Sequence, residues 1–443
     1  MSPKIWTPAE IRKLARSRRD AKKIAENDSF ENTEAPEGNE TPILSTKSSD
    51  SDAFETTELK GKLAYWNRFE ESVGNRVVIA MPSEWDEEDP EVARLCKTLG
   101  LDVKQVILLR SREPNQATYV GPGQLSRIKK AMTQHSASSV VIDAPLRPSQ
   151  VKNLEKALKV PVLDREGIIL SIFQAHARTP QSQLQVEIAQ LKYLLPRLTG
   201  VWMGLSRQRG GKGGLGGRGL GETRLELDRR LVKERITFLT KKLEDAQKSF
   251  EIQSARRASL PRVALVGYTN AGKSTLMKQL TRADVLIEDK LFATLDTTVR
   301  MLNPPTKPQI LVSDTVGFVR DLPHNLVASF KSTLAESVSS RILLHVVDIS
   351  HPSWMQQFQT TEDVLEEIGA AKVPRILILN KLDILPVSVK LRESQCKRLL
   401  KDRPEYIFTV PLSAMTGEGV ETLRDVILRE CGAEIPEWVM THG

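Results

Sequence analysis

The 443-residue sequence predicts an α/β protein whose C-terminal part folds around a mostly parallel sheet. Short apolar, β-branched segments alternate with amphipathic helical stretches, and several of these segments end directly in glycine or acidic motifs. A small α/β domain and an antiparallel helical hairpin are predicted to precede this sheet. The expected divisions are a disordered charged extension over 1–60, a small α/β domain over 61–180, a helical hairpin over 181–255, the main domain over 260–432 and a short tail over 433–443.

Composition and charge limit the class of protein. The chain holds 64 Lys and Arg against 56 Asp and Glu, and no apolar run approaches the roughly 20 residues that a membrane span needs. The three cysteines are scattered, odd in number and without metal-ligand spacing, which favours a reducing cytoplasm, and the six histidines show no ligand pairing. We therefore expect a cytoplasmic protein without stable membrane insertion. It is also expected to be a monomer and not to bind DNA.

The first 60 residues divide by charge. Residues 1–25 hold eight basic and two acidic side chains, whereas residues 26–58 hold ten acidic and one basic and are rich in Ser, Thr, Gly and Pro. The acidic piece is predicted to be disordered. The basic piece fits an RNA-contacting arm or a targeting sequence, although Glu10 and Asp20 argue against a transit peptide. A solvated tail without a function of its own remains the alternative.

The small α/β domain is predicted from four apolar strands with helical patterns between them. The predicted strands cover residues 77–80, 106–109, 140–143 and 162–164, and one helix covers 148–158. Gly121 and Gly123 open another helix after Tyr119 and Val120. Because the full GxGxxG pattern is missing there, a tight turn is favoured over a nucleotide site.

Two long amphipathic helices, over 182–198 and 226–250, predict the hairpin. The loop between them, residues 204–221, holds nine glycines, four basic residues and no acid. Its glycines allow the backbone to approach a partner closely, and its basic side chains can contact phosphates, so an RNA ligand is predicted. A plain flexible linker is the alternative. The predicted RNA-binding residues are Arg207, Arg209, Lys212 and Arg218.

A predicted strand over residues 263–266 runs into the pattern GxxxxGKS and then into a helical segment. This order is typical of a phosphate-binding loop, in which backbone amides turn towards the phosphates and the helix N-terminus adds positive charge. Lys273 is expected to reach the β- and γ-phosphate oxygens, and the Ser274 hydroxyl to bind Mg²⁺. The nucleotide-binding residues predicted here are Gly267, Tyr268, Thr269, Asn270, Ala271, Gly272, Lys273, Ser274 and Thr275.

A second strand, predicted over 310–313, ends in Asp314-Thr315-Val316-Gly317. In this DxxG spacing the Asp314 carboxylate can hold the shell of the magnesium ion, and the Gly317 amide can touch the γ-phosphate. All four residues are predicted to contribute to nucleotide binding.

Thr297 and Thr298 lie between these two motifs, on a predicted switch loop. One of them is expected to give a hydroxyl to Mg²⁺ and a backbone amide to the γ-phosphate, so that hydrolysis releases the loop. We favour Thr298, although two ordinary loop threonines remain the alternative. Lys273, Thr298 and Gly317 are thus the residues predicted to act in catalysis, and Ser274 and Thr298 the metal ligands.

A further strand, predicted over 376–379, ends in Asn380-Lys381-Leu382-Asp383. The Asp383 carboxylate can accept hydrogen bonds from both N1 and N2 of guanine, a pair of donors that adenine lacks. Ser413 and Ala414, after another apolar segment, are placed to offer a backbone amide to the guanine O6. These four elements, each at the carboxyl end of a strand, predict a P-loop GTPase domain that binds GTP and GDP.

Two residues bear on the rate of hydrolysis. Phe318 follows Gly317 where a water-orienting Gln stands in GTPases of the Ras type, so intrinsic hydrolysis is expected to be slow without a partner. Asn270, inside the phosphate loop, could hold K⁺ near the developing negative charge.

The motifs together closely resemble the HflX family of GTPases. The resemblance is carried by residues 218–230, 267–275, 291–296 and 314–318, with 117–121 and 143–150 in the preceding domain, and it covers about residues 75–432. It implies a ribosome-associated GTPase that binds the large subunit and its rRNA, with the glycine-rich hairpin tip reaching towards the peptidyl transferase centre. It also implies that the protein splits or rescues stalled ribosomes under stress.

Two alternatives remain open: a GTPase that acts in assembly on precursor large subunits, and a nucleic-acid-binding module in which nucleotide only stabilises the fold. The sequence departs from the family pattern at Leu220, where members usually have Pro, which is expected to loosen the end of the loop. Few residues follow Gly432, so the C-terminal domain of some members is expected to be missing or vestigial. Some members are also thought to bind ATP through the N-terminal domain, for which no residues can be assigned.

Overall fold

The structure is a computed structural model that describes residues 4–5, 75–83, 90–110, 114–198, 219–255, 260–282, 291–292, 295–296, 298–322, 338–384, 394–396 and 398–436. Lys4–Ile5 form strand β1, and the rest of the predicted disordered extension lies outside the described residues. The chain divides into two compact units, residues 20–165 and residues 1–19 with 166–443, and each unit is considered by itself. The predicted domain boundaries stay predictions.

The first unit contains a four-stranded, wholly parallel sheet. Its strands are β2 (Arg76–Pro82), β3 (Asp102–Leu109), β4 (Ser139–Ile142) and β5 (Val162–Asp164), in the order β3-β2-β4-β5. Its helices are α1 (Glu91–Thr98), α2 (Pro122–His135) and α3 (Pro148–Leu158). The four predicted strands and the helix over 148–158 are therefore confirmed. Apolar residues of these strands and helices, among them Val78, Ile128 and Val140, form one buried core.

Two local contacts stabilise this unit. The Gly121 amide donates to Oε1 of Gln124 at 3.1 Å, which caps the N-terminus of α2. The preference for a tight turn over a nucleotide site at this segment stays a prediction. Arg165 is buried and pairs with both Glu91 and Asp143, the latter at 2.7 Å. These buried charges thereby satisfy one another.

The second unit opens with helix α4 (Arg165–His176) and the hairpin helices α5 (Pro180–Leu194) and α6 (Gly219–Ala255), with a 3₁₀ turn at Leu195–Arg197. Apolar residues at helical spacing pack between α5 and α6, among them Ile188, Leu191 and Leu239. Arg235 of α6 binds Glu187 of α5 at 2.9 Å. The helical hairpin is confirmed, whereas the four basic residues of its loop lie outside the described residues.

A seven-stranded sheet forms the main domain. Its strands are β6 (Arg262–Gly267), β7 (Thr298–Met301), β8 (Leu311–Asp314), β9 (Ile342–Asp348), β10 (Arg375–Asn380) and β11 (Tyr406–Pro411), with β1 at one edge in the order β1-β11-β10-β9-β6-β8-β7. All neighbours are parallel except β7, which is antiparallel to β8. The mostly parallel sheet is thus confirmed.

Helices cover both faces of this sheet. Residues of α7 (Lys273–Thr281) and α9 (Val420–Cys431) pack into the core on one face, and residues of α8 (Trp354–Glu367) pack on the other. This doubly wound arrangement places the carboxyl ends of the central strands at one edge. Among the described helices, none has the length and apolar character needed to cross a bilayer.

A buried polar cluster lies beside β9. His345 Nδ1 is 2.6 Å from the Tyr406 hydroxyl, which donates to Oε1 of Glu362 at 2.8 Å. Arg375 and Arg403 donate to Oε2 of the same carboxylate.

Burial, and then the positive charges of Arg375, Arg403 and Lys273, hold the pKa of His345 well below its ordinary value. His345 is therefore neutral, with the proton on Nδ1.

This cluster predicts acid-sensitive folding. The folded-state pKa of His345 lies below the unfolded value of about 6.5, so only the unfolded chain binds the proton between these two pKa values. The stabilisation is present above about pH 6.5 and is lost as the pH falls below it. We expect the free energy of unfolding to fall between about pH 7.5 and 5.5 because of this group. Urea titrations at the two pH values measure it.

The variant His345→Asn should show a smaller acid-induced drop, and the half-buried His176→Asn serves as its control. An unchanged drop in His345→Asn would contradict the assignment.

Candidate nucleotide-binding site

The phosphate loop follows β6 and depends on two glycines. Gly267 and Gly272 have φ angles of +147° and +95°, which residues with a side chain rarely adopt. A Cβ on Gly267 would lie 2.3 Å from the Val346 carbonyl oxygen, and one on Gly272 would lie 2.2 Å from Nδ2 of Asn380. The loop is thus pressed against the ends of neighbouring strands. Asn270, at φ +60°, is exposed at its tip, so the structure leaves its side chain open to solvent.

Lys273 begins α7 with its ammonium group buried inside the loop. Its Nζ donates to the carbonyl oxygens of Tyr268 at 2.7 Å and Gly267 at 3.1 Å. Burial lowers the pKa of Lys273 to about 8, and the nearby Asp314 charge partly offsets this effect. Negative phosphate oxygens would favour the charged form of this side chain.

Gly317 packs closely against the phosphate loop. A Cβ at Gly317 would lie 3.0 Å from Lys273 Nζ and 2.7 Å from Cγ2 of Thr269. A side chain at this position would therefore clash, and glycine lets the backbone approach the Lys273 ammonium closely. The roles of both residues at the γ-phosphate stay predictions.

Oxygen ligands suited to Mg²⁺ lie together next to the loop. The Ser274 hydroxyl donates to Oδ2 of Asp314 at 2.9 Å, and Thr298 lies opposite Asp314 in the antiparallel pairing of β7 with β8. Hydroxyl and carboxylate oxygens match the preference of this hard cation. Thr297 lies outside the described residues, so the choice between the two threonines stays a prediction.

The side chains of the DxxG segment after Asp314 face the interior. Thr315 donates to the Leu265 carbonyl at 2.6 Å, and Val316 is buried. The Phe318 ring packs in the core with Ala264 and Leu343. Any contact of this segment with a nucleotide would therefore come from its backbone groups, and the Phe318 ring is buried in the core.

Backbone hydrogen bonds join the phosphate loop to this segment. The Thr269 amide donates to the Phe318 carbonyl at 2.7 Å, and the Phe318 amide donates to the Gly267 carbonyl at 3.1 Å. The Tyr268 hydroxyl accepts from the Arg320 amide at 2.7 Å. Because of these bonds, a displacement of one loop moves the other.

The predicted base site is organised by Asn380. Its Nδ2 donates to the Ala271 carbonyl at 2.7 Å, and its Oδ1 accepts from the Ala414 amide at 2.9 Å. The Ala414 amide predicted for guanine O6 therefore has a protein partner in this structure, and its contact with the base stays a prediction. The exposed Asp383 accepts from the Ser413 hydroxyl at 2.5 Å, which fixes one carboxylate oxygen.

Sequence reasoning missed Asp348. Asp348 is the last residue of β9, and its carboxylate forms an ion pair with Nζ of Lys381 at 2.7 Å. This ion pair holds the Lys381 side chain of the Asn380-Lys381 motif in place. An apolar strand that ends in an acidic residue was the signal that identified Asp314, and the same signal could have identified Asp348.

Three family models match successive parts of the chain. A model described as GTP-binding GTPase N-terminal matches residues 86–174, and one described as GTP-binding GTPase middle region matches 176–257. A model described as 50S ribosome-binding GTPase matches residues 262–381, which include the loops described above.

Individual relatives extend this similarity over most of the chain. GTPase HflX of Gluconacetobacter diazotrophicus is 48% identical, over 78% of this chain and 82% of that protein. GTPase HflX of Escherichia coli is 41% identical, over 82% and 83% respectively. A crystal structure of a GTP-binding protein from Sulfolobus solfataricus in complex with GDP is 25% identical, with a TM-score of 0.45, over 81% of this chain and 99% of that one.

Proposed function

Since the chain belongs to the HflX family of GTPases, we propose that in its GTP form it binds the large ribosomal subunit, splits or rescues stalled ribosomes, and leaves after hydrolysing GTP. GTP hydrolysis and ribosome association are properties of this family. What we propose is that binding to the large subunit depends on GTP, that the chain contacts rRNA, and that it splits or rescues stalled ribosomes.

The observation that best supports GTP-dependent binding is the close approach of the Gly317 backbone to the Lys273 ammonium, since a Cβ on Gly317 would be only 3.0 Å from Nζ. A γ-phosphate bound by this lysine would therefore lie next to Gly317. There the Gly317 amide donates to the γ-phosphate and the lysine neutralises it. The bonds between Thr269 and Phe318 then carry the position of Gly317 to the phosphate loop. GDP cannot make this contact, so the two loops differ between the two nucleotides.

Ser274, Thr298 and Asp314 would hold Mg²⁺, which when bound neutralises charge on the phosphates. Asp383 would select guanine, and the Ser413 hydroxyl orients its carboxylate. With the Phe318 ring in the core, no side chain at that position orients water, so we propose that the ribosome accelerates hydrolysis. The exposed Asn270 is available to hold K⁺ at the loop.

One experiment separates the proposal from its alternatives. GTP turnover is measured with and without purified large subunits while light scattering follows intact ribosomes. Stimulated turnover with falling scattering supports splitting. Stimulation by precursor particles alone, with mature ribosomes unaffected, favours assembly. Turnover indifferent to any particle, with Lys273→Met still binding RNA, favours a nucleic-acid-binding module.

The hairpin loop carries its own prediction. Replacing all four of its predicted RNA-binding residues by Ser should weaken binding to the large subunit and flatten its salt dependence, because each lost phosphate contact lowers the log–log slope by roughly 0.7–0.9. The changed residues are Arg207, Arg209, Lys212 and Arg218. Pelleting assays at several salt concentrations measure the slope.

A charge-matched control replaces four exposed basic residues of the main domain by Ser. These are Lys307, Lys372, Arg398 and Lys401. Equal slopes for the loop variant, the control and the unaltered protein would rule out the RNA role of the loop.

A further inference from the structure

The segment before β7 is attached to α4, the helix that precedes the hairpin, by an aromatic contact. Phe292 is 2% exposed, and its ring meets Phe173 of α4 edge-on, with centroids 4.6 Å apart. Its φ of +58° is unfavourable for an aromatic residue, so a stabilising contact must hold it there. The Phe292–Phe173 pair supplies such a contact.

Asp296 makes a second attachment, to the N-terminus of the 15-residue helix α5. One carboxylate oxygen, Oδ2, accepts the amides of Arg178 and Thr179, both at 3.2 Å. The other, Oδ1, accepts the Thr179 hydroxyl at 2.6 Å. Thr179 is also the N-cap of α5, since its oxygen accepts the Ser182 amide at 3.2 Å. The negative charge is thus bound by amides and by the positive end of the helix dipole.

The position of Asp296 gives this contact a role beyond capping. It is the second residue before Thr298, which begins β7 opposite Asp314. Thr298 is therefore held by the sheet, and Asp296 is held by α5. Catalytic groups lose efficiency steeply when displaced, with about 100-fold lost for 1 Å.

We propose that Asp296 is a positioning residue for GTP hydrolysis: by binding the N-terminus of α5 it holds Thr298 at the nucleotide and links the hairpin to the γ-phosphate site. Linkage is reciprocal, so a partner that moves α5 changes the affinity for GTP by the same factor as GTP changes the affinity for that partner. GDP lacks the γ-phosphate that this segment is expected to meet, so its affinity is independent of the contact.

This inference rests on the proposed role of Thr298, and the test separates the two. Dissociation constants for GDP and for a non-hydrolysable GTP analogue, with single-turnover hydrolysis rates, are measured for Asp296→Ala, Thr179→Val, the double variant and Thr298→Ala. Asp363→Ala, an exposed carboxylate on α8, is the matched control.

Asp296→Ala is expected to weaken binding of the analogue about tenfold, equal to about 1.4 kcal/mol, with the affinity for GDP unchanged. Thr179→Val should lose less affinity for the analogue, because the two backbone amides still bind Asp296. The double variant should have the same affinity as Asp296→Ala. Asp296→Asn, which keeps the acceptors, should restore part of the affinity.

Equal losses for GDP and the analogue would show that Asp296 only stabilises the fold. Additive effects in the double variant would show that Asp296 and Thr179 act independently, which would overturn the proposed link to α5. If Thr298→Ala weakens binding of the analogue while Asp296→Ala does not, the role proposed for Asp296 is wrong and that of Thr298 stands. If neither variant changes the affinity for the analogue, both proposed roles are wrong.

Discussion

Lys273→Met is expected to reduce GTP turnover by about 10²–10³-fold, the cost of removing one group that stabilises transition-state charge. Met keeps the length and packing of the side chain but lacks the charge placed beside Gly317. The same change should raise the thermal stability of the nucleotide-free protein. Burial lowers the pKa of Lys273 to about 8, so the charged ammonium is unfavourable in the folded state at neutral pH.

Steady-state turnover and thermal melting without nucleotide measure the two effects. Lys278→Met, exposed on the same helix, is the control. Wild-type turnover in Lys273→Met would exclude this lysine from the chemistry. Melting at a lower temperature would show instead that its bonds to Gly267 and Tyr268 outweigh the cost of burying it.

Asp383→Asn is expected to weaken GTP binding by about 10²–10⁴-fold, because two hydrogen bonds to a charged acceptor contribute about 1.5–3 kcal/mol each. The amide should favour xanthosine triphosphate, whose ring presents the complementary pattern. Asp383 already accepts the Ser413 hydroxyl, so the substituted side chain keeps a partner that orients it.

Competition binding with GTP, ATP and xanthosine triphosphate measures the shift, with the exposed Asp402→Asn as control. Unaltered protein that binds ATP as well as GTP would contradict the base assignment. So would an Asp383→Asn variant with unchanged preference.

The meeting of Lys273, Ser274, Asp314 and Asn380 could be predicted from the sequence. Each follows a short apolar strand, and the carboxyl ends of parallel strands share one edge of a sheet. That inference needs only local patterns and a general rule of topology. The confirmed strands of the smaller sheet, and the hairpin helices, were predictable for the same reason.

Other features of the fold and the site could not be predicted, because they depend on contacts between residues far apart in the sequence. Strand β7 pairs antiparallel with β8 and is only partly buried, so its short sequence shows no strand period. Thr315 was predicted to contribute to the nucleotide site, but its hydroxyl binds Leu265, which no local pattern indicates. The Asp296 contact joins residues 117 positions apart and could not be read from either segment.

The two hydrogen bonds of Asn380 have a thermodynamic consequence. One side chain connects a carbonyl of the predicted phosphate loop to an amide of the loop predicted to meet guanine. We therefore expect that whichever half of the ligand binds first restricts the loop that the other half requires, so that the entropy of ordering is lost once rather than twice. The two halves of the ligand are then expected to bind cooperatively.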